Sequence, residues 1–372
     1  MSAVGPDRTP AGRRRGDSGR SARRRGDTGP AGRRRAVAPA ALPPRPAAAG
    51  VAVVIPVRDG ADGLPGAVAA ALQPEVDELV IAAAPSRDAT RQVAEALAER
   101  HDRVRVVANP SGRTSDALNL GIAAADGEVV VRVDAHARLP AGYVARAVEQ
   151  LRRTGAANVG GRQVPSAEAG FARAVAAAMR SRAGAGGAAY RVGGRPGPVD
   201  TVYLGVFRRS ALEAVGGYDP AFVRNQDAEL NLRLRRAGYL VWFDPGLAVR
   251  YRPRGDVASL ARQYREYGSY RRLTARRHPG SLAARQLAAP ALVLGLAGAA
   301  LTSTLARDPR PLALAGGGYL GLLAGAGAAV ADQPRSAPGV AVALATMHLA
   351  WGVGFLAGPP RPAHEGETDV RP

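Results

Sequence analysis

The chain has 372 residues and a formal net charge of +20, with no Lys and no Cys, so its basic side chains are Arg and five His. The lack of cysteine excludes disulfide bonds and thiolate metal sites. A strongly basic chain is a candidate for nucleic-acid binding. However, only 5% of the residues are aromatic and no nucleic-acid-binding motif is present, which argues against a specific nucleic-acid partner.

Residues 1–49 consist almost entirely of Arg, Gly, Pro and Ala, and three runs of three arginines recur in a similar Gly/Asp context. With almost no large apolar side chain, this stretch cannot bury enough surface to fold, and it lacks the apolar core of a signal peptide. We therefore predict a disordered Arg-rich tail. The alternative is a tail that binds anionic lipid or another polyanion, which would make the protein a polyanion-binding protein.

From residue 51 onward, short apolar segments rich in β-branched residues alternate with helical patterns. This alternation predicts an α/β domain with a mostly parallel, doubly wound sheet, which binds ligands at the carboxyl ends of its strands. The predicted strands are Val51–Val57, Glu78–Ala84, Val104–Ala108, Glu128–Val133 and Val199–Phe207, and the predicted helices are Gly66–Leu72, Thr90–Arg100, Asp116–Ala125, Ala172–Arg182 and Asp227–Ala237.

Two local patterns in the second half of this domain predict finer detail. The glycine-rich stretch Gly184–Gly197 predicts a mobile loop. The helix Asp227–Ala237 is expected to have the side chain of Asn225 as its N-cap and to end at Gly238.

The last third of the chain contains three nearly uncharged apolar segments, at residues 287–306, 312–331 and 339–357. Each is close to the ~20 residues needed to cross a bilayer, so we predict three transmembrane helices, the alternative being three buried helices of a soluble protein. The preceding segment is rich in Arg and Tyr, which suits the headgroup layer. By the positive-inside rule we expect a multi-pass protein of the cell membrane, with its large domain cytoplasmic and its C-terminal tail outside. The expected units are residues 50–250, a juxtamembrane segment at 251–286, the membrane helices at 287–358 and a tail at 359–372.

One predicted strand carries the clearest chemistry. The apolar run Val129–Val133 ends abruptly at Asp134, and His136 follows two residues later. A carboxylate at the end of such a strand, with a second donor close by, can hold a divalent metal on a substrate diphosphate. The alternative is a strand-end Asp with an incidental His.

Residues 51–245 resemble the family 2 glycosyltransferases, which have the GT-A fold. Each stretch that carries the resemblance is weak alone, but their order and spacing together are specific. A fuller pattern is similar to a membrane-associated subgroup, the succinoglycan glycosyltransferases of the ExoA type. The stretches are residues 54–58, 86–90, 117–122, 134–136, 215–219 and 226–230, and for the subgroup residues 158–161, 199–205, 225–227 and 263–268.

The resemblance implies an inverting glycosyltransferase that moves a sugar from a nucleotide-sugar, with a UDP-sugar expected first, to a lipid-linked or polysaccharide acceptor at the cytoplasmic membrane face. Asp134 and His136 occupy the place of the family's metal motif, which implies Mn²⁺ or Mg²⁺ on the donor diphosphate; imidazole suits Mn²⁺ better. Asp227 matches the general base that takes a proton from the acceptor hydroxyl, with Gln226 in place of the usual preceding acid. The alternative to that role for Asp227 is simple helix capping, and Glu229 is expected to be solvated.

Other positions are assigned to the donor by the same resemblance. Pro56 and Arg58 end the first strand, where the family contacts the nucleotide, and Arg113 and Asn119 lie where a cation grips the diphosphate. For Arg113 the alternative is a solvated loop residue.

The chain also departs from the family pattern. Ala83 and Ala84 replace the acids that contact the nucleobase, which Asp59 is expected to compensate, while Asp88 belongs to a turn. Gln263 and Arg265 fall where processive relatives carry a motif that ends in Trp. No Trp follows in that register, so we predict the addition of a single sugar. These departures leave a non-catalytic membrane subunit of the same fold as the alternative.

Overall fold

The computed structural model describes residues 50–359, so the expected Arg-rich tail at 1–49 and most of the short C-terminal tail lie outside the described residues. The strands are β1 (Val51–Val57), β2 (Glu78–Ala83), β3 (Val104–Ala108), β4 (Val129–Arg132), β5 (Asn158–Pro165), β6 (Gly197–Pro198), β7 (Tyr203–Arg208) and β8 (Val241–Tyr251). They form one eight-stranded sheet in the order β3-β2-β1-β4-β7-β5-β8-β6.

The sheet is mostly parallel, as predicted. β3, β2, β1 and β4 run parallel to one another, and β5 runs parallel to β8. β7 is antiparallel to both of its neighbours, β4 and β5, and β6 is antiparallel to β8. Because β1 to β4 point the same way, their carboxyl ends meet at one edge, which is where open α/β sheets bind ligands.

Helices cover both faces of this sheet. Val53 and Ile55 of β1 face one apolar core, whereas Val54 between them faces a second core on the other side. Burial on both faces explains why the strand is a continuous apolar run.

The helices are α1 (Leu64–Ala71), α2 (Thr90–Arg100), α3 (Thr114–Ala124), α4 (Tyr143–Thr154), α5 (Gly170–Arg180), α6 (Arg182–Ala185), α7 (Ala189–Val192), α8 (Arg209–Ala214), α9 (Gln226–Arg236), α10 (Val257–Arg277), α11 (Ala288–Ala306), α12 (Arg310–Val330) and α13 (Ala337–Ala357).

The observed elements agree with most of the predicted ones. β1, β3 and α2 have the predicted bounds, and the other predicted helices differ at their ends only. The strand predicted over Val199–Phe207 is wrong in its first part. The N–H of Val199 donates to the carbonyl of Val241 beside β6 at the outer edge, whereas Tyr203 begins β7 between β4 and β5.

Two local predictions need correction. The stretch Gly184–Gly197 is a loop only in part, since it contains α7 and the end of α6. Asn225 does not cap α9 with its side chain; its backbone is left-handed, with φ at +63°, and its Nδ2 donates to Thr274 Oγ1 at 3.1 Å. The predicted end of α9 is confirmed, because Gly238 has φ at +87° and the N–H of the following residue, Tyr239, donates to the carbonyl of Leu234.

The C-terminal part consists of three apolar helices, α11, α12 and α13, each long and apolar enough to cross a membrane. They are not equally covered by protein. In the most apolar stretch of each helix, 6% of α11 and 11% of α12 is buried, compared with 33% of α13. The last helix is therefore the one most tied to the rest of the protein.

Close packing of α10 against α13 depends on glycine. A Cβ at Gly268 of α10 would collide with the carbonyl oxygen of Trp351, and a Cβ at Gly354 of α13 would collide with the carbonyl oxygen of Arg265. The two backbones can approach this closely only because neither glycine carries a side chain.

We expect Gly354→Ala to destabilise the protein by about 1–3 kcal/mol, because the added methyl group forces the two helices apart. The matched control is Gly295→Ala in α11, where a Cβ meets nothing within 4 Å and the better helix former is tolerated. Thermal unfolding in detergent measures both variants. A Gly354→Ala protein that unfolds no earlier than Gly295→Ala would contradict this packing.

Candidate active site

Arg132, the last residue of β4, holds the two predicted carboxylates together. Its guanidinium donates to Asp134 Oδ1 from Nε at 3.3 Å and from Nη2 at 3.1 Å, and its Nη1 donates to Asp227 Oδ1. The Arg132 side chain is 8% exposed, and its guanidinium lies 5.9 Å from the centre of the Tyr218 ring. The end of β4 and the start of α9, distant in sequence, thus meet at one buried cation.

Sequence reasoning identified both carboxylates and missed the cation between them. Arg132 interrupts the otherwise apolar run Val129–Val133, in a strand that is buried. A charged side chain in such a strand must be paired to be tolerated, and this signal was available from the sequence.

The charges at this centre shift one another's pKa values. Burial would lower the pKa of Arg132, but attraction to Asp227 and Asp134 outweighs it and raises the pKa well above the usual value. Burial raises the pKa of Asp227; attraction to Arg132 opposes the rise, and repulsion from Asp134 adds to it. Arg132 therefore stays charged, and Asp227 is a stronger base than an ordinary aspartate. Its side chain remains 36% exposed, so a substrate can reach it.

Asp134 and His136 fit a metal that also takes ligands from a substrate. Both hydrogen bonds from Arg132 reach Oδ1 of Asp134, which leaves Oδ2 available to a cation. His136 is exposed, and its ring lies 6.5 Å from that of Tyr251. Within residues 50–359 no group of three or more His, Cys, Asp or Glu side chains is placed to hold a metal by itself. A carboxylate oxygen and an imidazole therefore suit a cation whose other ligands are diphosphate oxygens and water.

Asp59 and Asp88 join the loops that follow β1 and β2. Asp59 Oδ1 accepts from the N–H of Arg87 at 2.7 Å, and Asp88 Oδ2 accepts from the N–H of Ala61 at 3.0 Å. Asp88 thus lies in the expected turn. Asp59 has one oxygen committed to the neighbouring loop, which limits its use as a replacement for the missing acids at Ala83 and Ala84.

The remaining donor-side residues lie near this edge in different roles. Pro56 is within β1, and the exposed guanidinium of Arg58 lies beside Gly112, next to the loop of Arg113. Arg113 pairs with Asp116 at 2.9 Å and is about half exposed.

Asn119 has a role inside the fold. Its Nδ2 donates to the carbonyl of Tyr218 at 2.7 Å, and its Oδ1 accepts from the N–H of the same residue at 2.8 Å. It fixes Tyr218, whose ring lies against Arg132, so it supports the site indirectly.

On the other side of the site, α10 is joined to the sheet through Tyr251, the last residue of β8. Gln263 Nε2 donates to the hydroxyls of Tyr251 and Tyr267 at 3.0 Å each, whereas Arg265 is exposed. Arg191 of α7 was missed by sequence reasoning. It is 8% exposed and donates to the hydroxyls of Tyr190 and Tyr264 at 3.2 and 3.1 Å. These bonds tie the glycine-rich stretch to α10.

The site thus consists of two carboxylates held by one guanidinium at the edge of the sheet. Two comparisons with known proteins identify the family. The model of glycosyl transferase family 2 matches residues 52–216. The chain is also 34% identical over 286 residues to the succinoglycan biosynthesis protein ExoA of Rhizobium meliloti (strain 1021), which covers 76% of this chain and 86% of that protein. The chain belongs to glycosyl transferase family 2.

Two further proteins are similar to this chain at lower identity. A glucuronosyltransferase of Methanococcus voltae, named as acting on dolichyl N-acetyl-α-D-glucosaminyl phosphate, is 24% identical over 208 residues, or 54% of this chain and 64% of that protein. The mannosyltransferase PcManGT of Pyrobaculum calidifontis, solved with GDP-Man and Mn²⁺, superposes with a TM-score of 0.58 at 22% identity, covering 83% of this chain and 87% of that one. This likeness shows the GT-A fold.

The family 2 model ends before α9, the helix that carries Asp227. Gln226, at the start of this helix, is buried, and so is Glu229, whose side chain is 1% exposed. The prediction that Glu229 is solvated is therefore wrong. Its carboxylate accepts from Arg233 at 2.7 and 2.8 Å and lies 2.9 Å from His278 Nε2. This buried network fastens α9 to the segment that follows α10.

We expect Glu229→Ala to lower the free energy of unfolding by about 1–3 kcal/mol, because it removes the buried carboxylate that accepts from the partly exposed Arg233 and lies against His278. Glu213→Ala, at an exposed position in α8, is the matched control and should unfold like the unmodified protein. Chemical denaturation in detergent measures both. Equal stability of the two variants would mean that the network does not hold α9.

Proposed function

We propose that this family 2 glycosyltransferase transfers one sugar from a nucleotide-sugar to a lipid-linked or polysaccharide acceptor, with inversion at the anomeric carbon. The observation that carries the proposal is the single guanidinium of Arg132 between Asp134 and Asp227. It brings Asp134, which is suited to the donor diphosphate, next to Asp227, which is suited to the acceptor hydroxyl. The named activities of the two sequence relatives, in succinoglycan biosynthesis and on a dolichyl-linked sugar, support this class of acceptor.

Each residue of the centre has a part in the reaction. Asp134 and His136 would hold a divalent metal, which supplies charge neutralisation to the leaving diphosphate. Asp227 takes the proton of the acceptor hydroxyl as that oxygen attacks the anomeric carbon, and the bond from that carbon to the diphosphate oxygen breaks. Arg132 orients Asp134 with Oδ2 open and favours the ionised form of Asp227. A single displacement of this kind inverts the configuration.

The donor is held mainly through its diphosphate. Ala83 is half-buried and Ala84 is buried, and neither can contact a base through a polar side chain, while Asp59 has an oxygen committed to the adjoining loop. Arg58 and Arg113 are exposed at the same edge and can contribute cationic contacts to phosphate. A UDP-sugar is the first donor to test, and GDP-mannose is the natural comparison because the structural relative was solved with it.

The reaction takes place at a membrane. α11 and α12 expose large apolar side chains, among them Leu301, Leu305 and Leu314, at 60%, 76% and 76% exposure. The arginines of α10 suit an anionic headgroup layer on the cytoplasmic side, by the positive-inside rule. We therefore place the catalytic domain in the cytoplasm, against the membrane that carries the acceptor.

Turnover should require a divalent metal and both carboxylates. We expect Asp227→Asn to lower kcat by about 10²–10⁴-fold, because the proton acceptor is lost. Asp134→Ala should in addition weaken the dependence of activity on added Mn²⁺. Release of free nucleotide from a panel of nucleotide-sugars, with membrane lipid as acceptor, measures these effects and identifies the donor.

The matched control is Asp126→Asn, whose side chain is 95% exposed and which precedes β4, whereas Asp134 follows the other end of that strand. Unchanged turnover in Asp134→Ala and Asp227→Asn would sink the catalytic assignment. Absence of turnover in the unmodified protein with every donor would favour a non-catalytic subunit of the same fold.

The raised pKa of Asp227 predicts the pH dependence. The base works when ionised, so kcat/KM should fall as the pH drops through this pKa, at a higher pH than for an ordinary aspartate near 3.9. Arg132→Gln removes the attraction that opposes the rise, and the acid limb should move to still higher pH. Arg91→Gln, at a surface pair on α2, is the control and should leave the limb in place. If the acid limb of the kcat/KM profile does not move in Arg132→Gln, the group that titrates is not Asp227.

A further inference from the structure

α13 contacts the catalytic domain directly over its first half and α10 at its end. Near its start, Gly339 packs on Ala174 of α5. At its middle, His348 Nε2 lies 3.0 Å from the carbonyl oxygen of Ala183, at α6. At its end, Arg272 of α10 donates to the carbonyl oxygens of Phe355 and Leu356.

α10 lies between α13 and the catalytic domain at the far end of this contact. One face of α10 packs on α13 through Gly268. Another face is bonded to the segment that leads into α9: Glu266 pairs with Arg224 at 2.7 Å, and Thr274 accepts from Asn225 at 3.1 Å. Because α10 also carries exposed arginines, the helix is suited to the headgroup layer and not to the hydrocarbon core.

A crossing helix cannot make these contacts. The 21 residues of α13 span about 31 Å at 1.5 Å per residue, close to the ~30 Å thickness of the hydrocarbon core. If α13 crossed the bilayer, one of its ends would lie some 30 Å from a domain on the other side. Instead, the start of α13 contacts α5 directly, and its end is joined to the domain through α10, which is bonded to Arg224 and Asn225.

α11 and α12 have the arrangement that α13 lacks. The segment before α11 is tied to α10 by Arg271 with Gln286, and the segment after α12 is tied to α5 of the domain by Arg180 with Asp332, at 3.1 Å each. Buried residues of α12, such as Leu323, lie in the half nearer this end. The turn between the two helices, residues 307–310, is charged and far from these ties in sequence.

We propose that α13 lies in the plane of the membrane surface, between the catalytic domain and the acyl chains, and that α11 and α12 alone form a crossing hairpin. The exposed side chains of Val342 and Val353, at 47% and 44%, then meet the boundary between headgroups and acyl chains. Two crossings return the chain to its starting side. The C-terminal tail therefore lies on the same side of the membrane as the catalytic domain, where three crossings would place it opposite.

The absence of cysteine makes this topology directly testable, because a single introduced cysteine reacts without background. A membrane-impermeant maleimide is added to sealed vesicles that carry full-length variants. Ser166→Cys, at an exposed position before α5, defines the catalytic side. Pro309→Cys reports the hairpin turn, with Ala306→Cys as a second probe there, and Thr368→Cys reports the tail. Reaction in detergent gives the full signal for each variant.

In vesicles in which Ser166→Cys reacts fully, we expect Thr368→Cys to react equally and both turn variants to react less than one-tenth as much. Protection of Thr368→Cys together with the turn, or on its own, would overturn the in-plane placement of α13. Reaction of the turn variants from the catalytic side would overturn the crossing hairpin. Neither readout depends on enzymatic activity, so the result is separate from the proposed transferase function.

Discussion

The buried guanidinium of Arg132 is the interaction on which the candidate active site depends. It neutralises two carboxylates that would otherwise repel each other at the edge of a low-dielectric core. Because its side chain is almost fully buried, its position is set by the strand and by the Tyr218 ring beside it. The two carboxylates that we propose act on the donor and on the acceptor are thereby aligned by one residue between them.

The support of this cation extends outward through polar side chains that are satisfied inside the fold. Asn119 of α3 fixes the backbone of Tyr218, and the Glu229 network fixes α9, which carries Asp227. Each of these side chains makes several hydrogen bonds with good geometry, so the geometry at Arg132 is set by rigid elements. A site organised in this way needs little reorganisation when substrates bind.

The sheet and Asp134 could be predicted from the sequence because their signals are local, whereas Asp227 was assigned by the resemblance to the family. β-Branched runs such as Val51–Val57 mark buried strands, and Asp134 ends one of them. The errors have a common cause, which is that the deciding partner lies far away in the chain. Glu229 is buried against His278, which follows α10. Asn225 does not cap α9 because its side chain donates to Thr274. No local pattern contains these partners.

The double role of α10 has a consequence for how the enzyme meets its substrate. One side of the helix is bonded to Tyr251, the neighbour of His136, and another packs on α13 through Gly268. With the membrane placement proposed above, these contacts would hold the candidate active site at a fixed height above the lipid surface. A lipid-linked acceptor in the same leaflet would reach that height by lateral diffusion, so its search would be two-dimensional. The distance from its lipid anchor to its reactive hydroxyl would then determine which glycans can be extended.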